Sequence, residues 1–119
     1  MAIMAVAFPI LPGKTDAWKR FAAELNGPRK AEFVASREKA HVREQTFHQA
    51  TPMGDLVIVT LSGEDPARSF GEMSHADDAF TRWFVEQVKE LHGVDVTAPM
   101  VGGPPSTLVI DSGEGGRPR

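Results

Sequence analysis

The residues most able to do chemistry are concentrated in one short stretch, Arg43-Glu44-Gln45-Thr46-Phe47-His48-Gln49. An imidazole titrates near neutrality, so His48 suits a general base, and Glu44 or Arg43 would orient a substrate or balance charge that develops on it. In an extended chain, alternate side chains share a face: Glu44, Thr46 and His48 on one, Arg43, Gln45, Phe47 and Gln49 on the other. Glu44 and His48 then stand about 13 Å apart, too far for a direct hydrogen bond without a bulge but close enough to flank one small ligand. His48 and Glu44 are therefore the candidate catalytic residues. Arg37 and His41 are four residues apart, so on a persisting helix both would point toward the start of this strand and, with Arg43, bind substrate. The plainer alternatives are a wet edge strand for residues 43–49 and a solvated helix end for Arg37 and His41, whose cations complement the negative end of the helix dipole.

The other candidates are weaker. His75 lies near Asp77 and Asp78, but three residues of one loop without a second histidine in register make a poor metal site, and N-capping by Ser74 or Asp77 explains the same residues. His92 ends a helix and reads as a residue complementing the dipole. Trp18 and Trp83 fall on apolar helical stripes and read as core. Gly102-Gly103 and Gly115-Gly116 match neither phosphate-binding glycine pattern, and there is no tyrosine to serve as a donor to an oxyanion. No metal and no tightly bound cofactor is expected.

Elements must position these groups. Residues 2–11 are apolar at nearly every position and predict a strand covered on both faces, ended by Pro12-Gly13. Thr15 is a plausible N-cap for a helix whose Trp18, Phe21, Ala22 and Leu25 share a face, and Asn26-Gly27-Pro28 breaks it before a second piece from Arg29 to Ala40. Val42–Ala50 and Leu56–Leu61 predict two strands joined through Thr51-Pro52-Met53-Gly54-Asp55 as an antiparallel hairpin. Asp65-Pro66 starts a short helix, and Phe80, Trp83, Phe84, Val88 and Leu91 mark a longer one over 77–92, closed by Gly93. Val94–Met100 predicts a last strand, limited by Pro99 to an edge or an end. Residues 106–110 predict a short extra strand or an arm.

Composition bounds the rest. A chain of 119 residues with 41% hydrophobic and 24% charged residues is expected to fold as a single domain, here 1–111, with a mobile tail at 112–119. The 13 basic and 16 acidic residues are scattered, so nucleic acid is not an expected partner. The absence of cysteine excludes disulfides, thiolate catalysis and cysteine-ligated metals, and fits a cytoplasmic protein. The apolar start lacks a basic leader and is interrupted by Pro9 and Pro12, so it reads as a strand and not as a secretion signal. No stretch approaches the ~20 apolar residues of a membrane span.

The element order predicts an α+β fold, a ferredoxin-like βαββαβ unit with a four-stranded antiparallel sheet. Because the first and third strands are apolar on both parities, the sheet face away from the helices needs a cover, and a second copy of the chain is expected to supply it as a homodimer. With this order, and with the segments Gln49-Ala50-Thr51-Pro52-Met53-Gly54-Asp55, Trp83-Phe84 and His92-Gly93-Val94-Asp95, the chain resembles the dimeric α/β-barrel superfamily, antibiotic-biosynthesis monooxygenase-like proteins and uncharacterised families included. The resemblance covers residues 2–110. It implies a small-molecule enzyme with cofactor-free monooxygenase-, isomerase- or cyclase-like proton transfer, or a non-catalytic binding protein for a small hydrophobic metabolite or haem.

Overall fold

A computed structural model describes residues 1–99 and 106–113. Its elements in chain order are β1 Ala2–Pro9, α1 Thr15–Asn26, α2 Lys30–Lys39, β2 Val42–Thr51, β3 Gly54–Gly63, α3 Pro66–Ser74 and α4 Ala79–His92. The hairpin between β2 and β3 is tied by Thr51, whose hydroxyl donates to the Gly54 carbonyl at 2.6 Å and accepts from the Met53 amide at 3.2 Å. Gly54 takes a φ of 123°, which a side chain would resist. β3 then pairs antiparallel with β2 on one side and β1 on the other, giving a sheet of order β1-β3-β2.

Among the described residues the sheet has three strands, which corrects the expected four-stranded βαββαβ sheet and its closure into a dimeric barrel. The reason lies after α4. Asp95 folds the chain into a turn, its carboxylate accepting from the Thr97 amide at 2.9 Å and the Thr97 hydroxyl at 2.5 Å, while the Ala98 amide donates to the Asp95 carbonyl. The Thr97 carbonyl meets Nε2 of His75 at 3.0 Å. Backbone groups that a strand would offer to a ladder are thus taken by the Asp95 turn and by His75, which is distant in sequence. Met100 of the expected strand lies outside the described residues, as does most of the expected tail. Residues 106–110 form no strand; the Ser106 hydroxyl donates to the Ala5 carbonyl, and Leu108, Val109 and Ile110 are exposed.

The helices cover one face of the sheet. Met4 and Val6 of β1, Val42 of β2, and Val57 and Leu61 of β3 are buried there. α1 begins at Thr15, which is not its cap: the Thr15 hydroxyl donates instead to Asp55 at 2.8 Å. Pro28 stops α1 from running into α2, and the Arg29 amide returns to the Glu24 carbonyl at 2.9 Å. α3 is capped by Asp65 and α4 by Asp78, each carboxylate accepting a backbone amide three residues on. Buried apolar side chains fall into two groups. One gathers Met4, Val6, Val42, Leu61 and Met73; the other gathers Ile10, Trp18, Phe21, Val57 and Leu91. Phe8 and Val59 pack against both, and a cavity lies between the groups.

Candidate binding cavity

The cavity has a volume of about 300 Å³, within the range of small-molecule sites, and lies between the sheet and all four helices. Phe8, Phe21, Phe33 and Phe84 give it an aromatic lining, with Trp18 and Phe70 beside them. The polar residues of the lining are Asn26, Arg37, Glu44, Thr46, Ser74, Thr81 and His92.

Arg37 comes from the last turns of α2 and is 6% exposed. Its Nε donates to Oε1 of Glu44 at 2.8 Å, and one terminal nitrogen, Nη1, donates to the Ser36 hydroxyl at 2.8 Å. The guanidinium carbon stands 4.8 Å from the ring centre of Phe33 and 4.6 Å from that of Phe84. Phe33 precedes Arg37 by one helical turn, so the cation rests on an aromatic wall built partly by its own helix. The Glu44 side chain, 5% exposed, also accepts from the Thr46 hydroxyl at 3.4 Å. The other terminal nitrogen of Arg37, Nη2, is buried and has no hydrogen-bond partner among the described residues.

His92 ends α4 and is 7% exposed. Its Nδ1 lies 2.9 Å from the Pro9 carbonyl; a carbonyl only accepts, so Nδ1 carries the proton and Nε2 of the neutral ring is an acceptor. The Leu11 amide bonds the Leu91 carbonyl at 2.9 Å, which lashes the end of α4 to the exit of β1 and fixes the ring beside Phe8, 5.3 Å between centroids. Burial pushes the His92 imidazole below its usual value of 6.5, against an opposing effect of the Pro9 carbonyl. No second bond, to Nε2, is found among the described residues.

The five residues expected from sequence are dispersed. Arg37 and Glu44 meet and line the cavity. His48 shares the inner sheet face with Glu44 but does not reach the cavity: Trp18, which lines it, packs on the His48 ring at 5.1 Å. His48 Nε2 faces Asp55 at 3.4 Å instead, with its side chain 27% exposed. The Thr15 hydroxyl, more than any other contact, holds the Asp55 carboxyl below the usual carboxylate range. His41 lies outside the cavity because α2 ends at Lys39 and the chain turns through φ 57° at His41, so the expected helical spacing from Arg37 is broken. Arg43 is exposed on the opposite sheet face, one residue out of phase with Glu44.

His92 is the cavity residue that the sequence reading assigned to another role. Phe84, Val88 and His92 recur every four residues on α4, which places the imidazole on the apolar stripe and not on the solvated side. No group of three acidic or histidine side chains able to hold a metal exists among the described residues, and no helix among them is long and apolar enough to cross a membrane. Compared with models of protein families, with curated proteins and with solved structures, the chain matches none.

Proposed function

We propose that the cavity binds a small, mainly apolar molecule that presents one oxygen acceptor, a carbonyl or a carboxylate, to Nη2 of Arg37. The observation that carries this is the unpartnered Nη2 of a cation buried against two aromatic rings. A buried donor left without an acceptor costs roughly 1–3 kcal/mol, more when charged, and a ligand oxygen removes that cost while its apolar body fills the aromatic space. Glu44 already balances the charge of Arg37, so a neutral carbonyl suffices and a carboxylate gains a charge-assisted bond. Binding thus has more support than proton transfer by His48, which Trp18 separates from the cavity. The exposed outer sheet face, with Ile3 68% and Phe47 54% exposed, supports a second copy of the chain as its cover.

The test is titration of benzoate, cinnamate and cinnamaldehyde, followed by tryptophan fluorescence, to which Trp18 of the cavity wall contributes beside Trp83. Arg37→Met alone strands the Glu44 carboxylate in the interior and is expected to destabilise the fold by about 3–5 kcal/mol. The double variant Arg37→Met, Glu44→Leu removes both charges and keeps the volume. It is expected to fold and to bind cinnamate at least about tenfold more weakly, as the loss of a charge-assisted bond implies. Equal binding by the double variant, or no binding of any probe at millimolar concentration by the natural chain, overturns the proposal.

A further inference from the structure

We infer that His92 is a second recognition point of this cavity, its Nε2 accepting a hydrogen bond from a ligand hydroxyl, so that the preferred ligand is an elongated hydroxyaryl carbonyl or carboxylate compound. The inference rests on the proposed binding at Arg37 and adds the far end of the ligand.

Three observations carry it. The proton on Nδ1 is committed to the Pro9 carbonyl, so the ring's remaining hydrogen-bonding capacity is one lone pair on Nε2. The imidazole is buried and belongs to the cavity wall, yet Nε2 has no partner among the described residues. The lashing of α4 to β1 explains why Nδ1 is held and leaves Nε2 unexplained. Between Arg37, a pure donor, and neutral His92, an acceptor at Nε2, the cavity offers opposite hydrogen-bonding polarity to the two ends of a ligand.

Register sets the spacing. Glu44, which holds Arg37, pairs with Leu61, whereas Pro9, which holds His92, pairs with Leu56. The backbone levels are five residues apart on β3, about 17 Å of strand before the side chains reach inward. A ligand that touches both nitrogens therefore runs along the strands, past Phe8, Val57 and Val59. A flat ring carrying a hydroxyl at one end and a conjugated carboxylate at the other has that shape.

The experiment compares cinnamate, 4-hydroxycinnamate and 4-methoxycinnamate at pH 7 by calorimetry, on the natural chain and on His92→Phe. In the natural chain the hydroxyl compound is expected to bind about three- to tenfold more tightly than cinnamate, as one net hydrogen bond implies, and the methoxy compound, which has no proton to donate, is expected to show no gain. In His92→Phe cinnamate still binds and the hydroxyl advantage vanishes. A natural chain that binds cinnamate but gains nothing from the hydroxyl overturns the role of His92 and leaves Arg37 standing. That comparison needs no variant, so a poorly folding His92→Phe does not rescue the inference. An advantage that persists in His92→Phe also overturns it, and binding of none of the three ends both proposals.

Discussion

Arg37 shows how one side chain can be held in an interior without being saturated. Glu44 and Ser36 take two of its nitrogens, Phe33 and Phe84 shelter the planar cation, and Nη2 is left buried without a partner among the described residues. His92 is the converse case, an imidazole kept neutral by burial, and this makes stability depend on pH. Its folded value lies below 6.5, so above pH 6.5 neither state binds the proton and its contribution is intact. As pH falls below 6.5 the unfolded chain takes up a proton that the folded chain refuses, and stability declines until the folded value is passed. Asp55, Asp78, Asp95 and Glu90, all lowered, lose their contributions only in a more acidic range, beginning near their ordinary values of 3.8 and 4.5. Urea midpoints are therefore expected to fall between pH 7.5 and 5.5 in the natural chain and to fall less in His92→Phe; an equal fall in both assigns the effect elsewhere. Residue types and spacing pointed to Arg37 through His41 and to Glu44 through His48, but did not pair Arg37 with Glu44. They did not single out His92, since the same letter at a helix end also complements a dipole, and only the packing of α4 under β1 separates the two roles.

At the level of elements, local rules worked wherever backbone geometry was decided within a few residues. The break at Pro28, the hairpin around Gly54 and the start of α3 at Pro66 were legible because proline and glycine act on their own backbone angles. The stop of α4 was legible for the same reason: Gly93 adopts φ 70° and ψ 21°, and its amide returns to the Lys89 carbonyl at 2.8 Å. A methyl group there would meet Leu11 at an ordinary 3.5 Å, so the cost of Gly93→Ala is conformational and not steric. It is expected at about 1 kcal/mol, read as a lowered urea midpoint, with Gly93→Asn milder because asparagine tolerates the left-handed region. An unchanged midpoint for Gly93→Ala would mean that the chain leaves α4 in another conformation. Non-local competition was harder to read. Val94 and Val96 favour a strand, but Asp95, Thr97 and the distant His75 capture the backbone of that segment first. The spacing of Arg37 and His41 likewise assumed a helix that in fact stops two residues before His41.

For the whole molecule, the unequal faces of the sheet carry the strongest consequence. The inner face holds the core and the cavity, and its apolar side chains are covered by α1 through α4. The outer face has no such layer among the described residues, yet Ala7, Ile58 and Phe47 stand in one cross-strand row, Ile3 lies further along β1, and Leu56 begins the same face of β3. Large apolar side chains contiguous on a sheet face mark an association surface more often than a solvated one. The proposed cover is a copy of the same chain, because a two-fold axis through the face would set each apolar row against its equivalent. Phe47, at the β2 end of that row, is exposed enough that its replacement should alter the stability of a lone chain by no more than about 0.5 kcal/mol. Phe47→Glu would place one carboxylate from each copy in the proposed interface and is expected to shift the chain from dimer to monomer at micromolar concentration. Sedimentation equilibrium on the natural chain and on Phe47→Glu measures this. A natural chain that sediments as a monomer rejects the dimer, and a variant that remains dimeric moves the contact away from the sheet.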